Sequence, residues 1–270
     1  MTQMAVRPAG HGDGAAMAVL LAEMDRFYGA AGTEPPDERL RQISEALFAS
    51  PPAAYALLAS ETPGWPVSLG YYRPMLFPGH SIETPRLTLR PFTPGDFDDL
   101  YAYQSRPDVA RYLHWDARDR AQVRQALDRQ CGETALDAEG DWLTFAVVWR
   151  EAGKVVGEVG LKWLSREHRQ GETGFVFNPD YHGRGLATEA AEAMLALGFD
   201  NLGWHRIIGS CDARNQPSVR LMERIGMRRE AHFVHNEIIK GEWGEEFVYA
   251  ILDHEWKARR PSAAPYRHLG

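Results

Sequence analysis

Apolar residues first alternate as in a strand around Met4–Arg7, then recur at helical spacing through Met17, Leu20, Leu21, Met24 and Phe27–Tyr28, with Asp13 placed to cap that helix. A second helical pattern, Leu40, Ile43, Leu47 and Phe48, opens at Pro35-Pro36-Asp37 and stops before Pro51–Pro52. Tyr55–Ala59 and Val67–Tyr72 then read as strands joined by the turn-rich segment from Thr62 to Pro66.

After the linker-like Pro74, Pro78, Gly79 and His80, the same order starts again. Leu87–Pro91 reads as a strand, and Thr93-Pro94-Gly95-Asp96 opens a helix carrying Phe97, Leu100, Tyr101 and, further on, Val109 and Tyr112–Leu113. A helix over Asp119–Leu136 and strands over Leu143–Trp149 and Val155–Trp163 follow. Only this second unit continues, through a strand at Glu172–Phe177, a helix at Gly183–Gly203, a strand at Ile207–Cys211, a helix at Pro217–Ile225 and strands near Met227–Glu237 and Glu246–Leu252. The pattern therefore predicts a partial unit over residues 1–80, a complete domain over 81–256 and a tail over 257–270, poorly ordered from Arg259 on.

Composition narrows the classes without choosing among them. Apolar residues make up 44% and charged residues 25% of 270 residues, enough for a buried core. The net charge of −7 is spread over both units, so neither is a basic nucleic-acid binder. Cys131 and Cys211 form no CxxC pair, no stretch reaches the length of a membrane span, and a reducing cytoplasm is the expected compartment. His232 and His235, three apart on a predicted strand, would point to opposite faces, so no metal site is expected.

The candidate chemistry lies after the strand at Glu172–Phe177. Asn178-Pro179-Asp180-Tyr181-His182-Gly183-Arg184-Gly185-Leu186-Ala187-Thr188 is a strand end, a glycine-rich turn and a helix start. Backbone amides there converge where the helix dipole is positive, which suits a diphosphate, and glycine lets the main chain approach it. A P-loop is excluded because no Lys-Ser/Thr follows the glycines, and a dinucleotide turn because the third glycine is missing. About thirty residues on, Asn215-Gln216-Pro217-Ser218 precedes Glu223-Arg224-Ile225-Gly226-Met227, with Asn215 able to cap the helix.

Together these segments resemble the GNAT superfamily of N-acetyltransferases, in the branch that includes the ribosomal-protein N-terminal acetyltransferases. The resemblance rests on His182-x-x-Gly185-x-Ala187, on Asn215-x-x-Ser218 before the 223–227 block, on the opening Thr84-Pro85-Arg86-Leu87-x-Leu89-Arg90 and on Gly241-Glu242-Trp243 through Tyr249. Residues 1–80 are similar to the front half of such a domain and stop before a glycine turn. The resemblance implies an α/β fold with a mixed, mostly antiparallel sheet flanked by helices, and acetyl-CoA as cofactor. It also implies an acetyl group moved to a primary amine by direct attack. Val176 and Phe177 would offer backbone groups to the pantetheine arm, and His182, Gly183, Arg184, Gly185, Leu186, Ala187, Thr188, Asn215 and Ser218 would surround the rest. Two departures are His182, where Gln or Arg is usual, and Met222, where many relatives place a tyrosine acid; Ser218 is the substitute candidate.

For the base, Glu158 and Glu172 are glycine-flanked carboxylates on central strands, where burial would raise their pKa values. Each could equally be a structural charge. Tyr112, Trp115, Trp142 and Trp163 could line an acceptor pocket, although large aromatics are commonly core. The acceptor is a small-molecule or peptide amine, with no nucleic acid or membrane partner expected and a homodimer left open. A non-catalytic acyl-CoA-binding or partner-binding module is the alternative.

Overall fold

The computed structural model describes residues 5–8, 55–60, 68–72, 75–76, 81–259 and 268–269. Contacts divide the chain into two compact units, Met1–Pro74 and Met75–Gly270. In the first, β1 (Ala5–Pro8), β2 (Tyr55–Ser60) and β3 (Ser68–Tyr72) form an antiparallel sheet in that order. The two helices expected at 13–28 and 35–48 lie outside the described residues.

The second unit opens with β4 (Met75–Leu76), β5 (Ser81–Glu83) and β6 (Leu87–Arg90). A 3-10 turn at Pro94–Asp96 leads into α1 (Phe97–Gln104). The Asp96 carboxylate fixes this entry, accepting from the Thr93 amide at 2.8 Å and from Arg90 Nη1 at 2.7 Å. The helix expected to run on to Leu113 instead breaks before α2 (Pro107–Ala110), because Arg106 takes the extended backbone (φ −89°, ψ 129°) that a following proline favours. α3 (Arg120–Gly132) is capped reciprocally by Asp119 and Gln122. It ends at Gly132 rather than Leu136, which belongs to β7 (Ala135–Leu136), paired with β4.

Next come β8 (Trp142–Trp149), β9 (Lys154–Ser165), β10 (Gln170–Phe177), α4 (Leu186–Ala196) and β11 (Arg206–Asp212). The helix expected over 183–203 is shorter because Leu197–Asn201 winds as a π turn. α5 (Gln216–Arg224), β12 (Arg228–Ile239), β13 (Glu242–Leu252), α6 (Asp253–Arg259) and β14 (His268–Leu269) complete the unit. α6 ends at Arg259, where the tail expected to be poorly ordered begins; residues 260–267 lie outside the described residues, and β14 pairs with β5.

Nine strands form one mixed sheet in the order β12-β13-β11-β10-β9-β8-β6-β5-β14, in which β10 and β11 are the parallel neighbours. One face buries Phe145, Val147, Val159 and Leu161 against Ala190 and Met194 of α4, Met222 of α5 and Trp256 of α6. The opposite face buries Ala146 and Val155 against Leu100 and Tyr103 of α1 and Leu127 of α3. Among the described residues no helix is long and apolar enough to cross a membrane.

Candidate active site: a split in the sheet and the turn beside it

Two neighbouring strands part company in mid-sheet. β10 pairs with β11 only at Gln170, Gly171 and Glu172, yet it pairs with β9 as far as Phe177. The edge of β10 that faces β11 is therefore without a strand partner from Thr173 to Phe177, a length of roughly 17 Å at strand rise. An unpaired stretch of central strand offers its amides and carbonyls to an extended ligand as another strand would. Val176 and Phe177 lie in this stretch.

Beyond it Asn178 Oδ1 accepts from the Asp180 amide at 3.1 Å and tightens the exit from β10. His182, Gly183, Arg184 and Gly185 are exposed, while Leu186 anchors the start of α4 in the core. Gly183 and Gly185 take φ of +74° and +77°, the left-handed region that any side chain would strain. Gly185 is the N-cap of α4, whose first amides have no intrahelical partner, and no side-chain acceptor among the described residues takes an amide of residues 183–188. The Arg184 guanidinium stacks over Trp149 at 5.3 Å, so the main chain, more than this side chain, defines the anion site.

The turn is braced from β6. Glu189, in the first turns of α4, accepts from Thr84 Oγ1 (2.6 Å), the Arg86 amide (2.8 Å) and Arg86 Nε (2.7 Å), while Arg86 Nη1 donates to the Arg184 carbonyl at 2.7 Å. Burial pushes the Glu189 carboxyl up, but the bonds from Thr84 and Arg86 outweigh it and hold the group below its ordinary value. The sequence displays Thr84-Pro85-Arg86-Leu87 as a motif, yet nothing local assigns it to a turn a hundred residues away.

At the start of α5, Asn215 Oδ1 accepts from the Ser218 amide at 3.3 Å, so Asn215 serves as a helix cap. Ser218 is half-buried, and no hydrogen bond among the described residues uses its hydroxyl. Met222 is buried in the core, with Sδ 3.1 Å from where a Gly209 Cβ would lie on β11.

The two candidate carboxylates share a face but not a place. Glu172 pairs with Lys162 and Glu158 with Val176, and positions 158 and 162 of β9 are roughly 13 Å apart along the strand. Glu172 stands where the β10–β11 pairing ends, next to Ser210, whose hydroxyl donates to it at 3.3 Å. Burial raises its pKa above the ordinary value, with Lys162 and the Ser210 bond pulling the other way. Glu158 lies beneath α1 and α3, where one oxygen, Oε2, accepts from Tyr103 (2.8 Å), Gln130 (2.9 Å) and Gln104 (3.1 Å). Burial raises its pKa too, opposed by those three donors and by Arg118.

The aromatic candidates disperse. Tyr112 lies between Arg111 and Arg214, at 5.2 and 5.9 Å, beside the approach to α5. Trp115 stacks on Arg118 at 4.2 Å and lines a shallow cavity of about 340 Å³ with Gln122, Gln125 and Arg129 of α3. Trp163 is 6% exposed and packs in the core on the face opposite Glu172, which removes it from any acceptor surface. Trp142 takes that position instead. Its register with Lys162 puts it on the Glu172 face, and a Cβ on Gly174 would lie 3.4 Å from its ring.

A split parallel pair running into a glycine turn at a helix start is an arrangement able to hold an extended, anionic ligand. The family described as acetyltransferase (GNAT) domain matches residues 86–228, and the chain belongs to it. The uncharacterized N-acetyltransferase YnaD of Bacillus subtilis is 37% identical over 176 residues, covering 65% of this chain and 98% of that protein. A GNAT-family acetyltransferase from Bacillus anthracis has a similar solved structure, with TM-score 0.58 and 35% identity over 64% of this chain and 99% of that one. The fold is also that of spermidine N-acetyltransferase from Vibrio cholerae, solved with CoA and spermine, at TM-score 0.54 and 21% identity over 64% of this chain and 99% of that one. The protein is accordingly a GNAT N-acetyltransferase that uses acetyl-CoA.

Proposed function

We propose that this enzyme acetylates the primary amine of a cationic small molecule or peptide N-terminus, with Glu172 as the general base. The observation that carries this reading is the position of Glu172. It stands at the apex of the split, at the far end of an unpaired strand edge from the glycine turn. A ligand anchored by its diphosphate on residues 183–188 and extended back along Thr173–Phe177 ends beside this carboxylate.

Acetyl-CoA supplies the activated acetyl carbon and a thiolate leaving group. The residues of the chain do the rest. Backbone groups of Val176 and Phe177 hold the donor arm, and Glu172 takes a proton from the incoming ammonium, directly or through water. The raised pKa of Glu172 suits that task, because a stronger base at neutral pH meets the amine closer to its own value. A carbon–nitrogen bond forms, the carbon–sulfur bond breaks, and the second proton lost by the nitrogen ends on the departing sulfur, to which the Ser218 hydroxyl hydrogen-bonds in place of the tyrosine that Met222 replaces. Glu246, whose charge bears on Glu172, makes this end of the cleft negative and favours a cationic acceptor. Of the other aromatic candidates, Tyr112 lies near Arg214 at the approach to α5, and Trp115 lies against α3.

Release of free thiol from acetyl-CoA in the presence of a panel of primary amines, from polyamines to peptides, tests the reading. Turnover is expected with cationic amines, and Glu172→Gln is expected to lower it by about 10²–10³-fold while CoA still binds by calorimetry. Full turnover by that variant would exclude Glu172 as the base. Residues 1–80 we take to be an incomplete second unit of the same ancestry; the antiparallel β1-β2-β3 order is what supports it.

A further inference from the structure

We propose that Arg86, just before β6, is a donor-binding residue that neutralises Glu189 and presents its remaining guanidinium nitrogen, Nη2, to the diphosphate. The inference rests on the diphosphate reading of the 183–188 turn and adds to it a side chain from a distant strand.

Glu189 lies in the first turns of α4, where a carboxylate occupies the positive end of the helix dipole and would repel a diphosphate bound to the same amides. The chain deals with it by placing Arg86 across it. Nε and the main-chain amide of Arg86 bind the two carboxylate oxygens, and Thr84 Oγ1 adds a third donor. Glu189 is left with 12% of its side chain exposed against 46% for Arg86, so the cation, not the anion, faces solvent at this spot.

The guanidinium has more donors than Glu189 consumes. Nη1 binds the Arg184 carbonyl at 2.7 Å and so ties the turn to Arg86. Nη2 makes no hydrogen bond among the described residues and lies 3.4 Å from where a Gly185 Cβ would be, on the rim of the turn. A guanidinium spreads its donors over three nitrogens, so with Nε on the carboxylate and Nη1 on the carbonyl it still has Nη2 for a phosphate oxygen. A lysine would bring all its donors to one nitrogen.

The test is calorimetric binding of CoA to the full-length protein, with acetyl-pantetheine, a thioester lacking the diphosphate, as the second donor in kinetics. Arg86→Gln is expected to weaken CoA binding by about tenfold, the scale of one charge-assisted contact. Its KM for acetyl-pantetheine is expected to stay within about twofold. The double variant R86Q/E189Q is expected to regain part of the CoA affinity, because the repelling carboxylate is gone too. Arg86→Lys, which keeps the charge, is expected to fall between wild type and R86Q, and it carries the test if R86Q does not fold. CoA affinity unchanged in R86Q, or an equal loss for both donors, would overturn the proposal. Failure of the wild-type protein to bind CoA would instead remove the diphosphate reading itself.

Discussion

The donor side and the acceptor side of this cleft are built from different materials. The side we propose for the donor is main chain: an unpaired strand edge from Thr173 to Phe177 and a glycine turn tied down by a carboxylate–guanidinium pair. The side we propose for the acceptor is side chains from separate elements: Glu172 of β10, Ser210 of β11, Lys162 of β9 and Trp142 of β8. Backbone recognises what every donor shares, while side chains can be exchanged without disturbing the fold, so acceptor choice can change on a constant donor site.

The sharpest way to break this division is at its junction. Glu172→Gln is expected to lower kcat/KM by about 10²–10³-fold at neutral pH with CoA affinity held. Because the Glu172 pKa is raised and its basic form is the active one, wild-type activity should fall as pH drops through that raised value. The pH–rate profile of kcat/KM checks this, and the low-pH limb should vanish in the variant.

Gly185→Ala attacks the other half. At φ +77° an alanine costs about 1–2 kcal/mol of left-handed strain, and the turn is expected to relax away from its ligand-ready form. CoA affinity by calorimetry should drop by roughly tenfold, with acetyl-pantetheine turnover much less affected. Ser218→Ala is expected to cost about fivefold in kcat, the value of one neutral hydrogen bond, with unchanged acceptor KM.

The smallest effect belongs to Glu158→Gln. All three donors address one oxygen, which a glutamine carbonyl can replace. Since burial raises the Glu158 pKa in the folded state, its contribution to stability is present below the unfolded carboxyl value of about 4.3 and is lost as pH rises through the raised folded value. The variant should therefore be at least as stable as wild type at neutral pH in urea unfolding, with activity within about threefold. A hundredfold loss would move the base from Glu172 to Glu158.

Much of the fold was legible in the chain. The strands at Leu143–Trp149, Val155–Trp163 and Glu172–Phe177 and the helix at Pro217–Ile225 were within three residues of their observed bounds, because alternation and capping signals are local. The misreadings have equally local causes. Pro107 broke a helix that apolar spacing alone would extend, and Leu136 left its helix to pair with Met75. Trp163 was read as an acceptor contact, but its parity on β9 turns it into the core, and Trp142 on the neighbouring strand faces the cleft instead.

The sequence by itself determined the donor turn, since a diphosphate site made of consecutive amides needs only a strand end, two glycines and a helix start within a dozen residues. Only the tertiary structure decided which glutamate stands at the split, because Glu158 and Glu172 have the same local surroundings and differ in what other strands and helices place around them. It alone also brought Arg86 to Glu189, across 103 positions of chain. Contacts of that range leave no periodicity or spacing to read, for they are fixed by how the sheet is ordered and not by any neighbour in sequence.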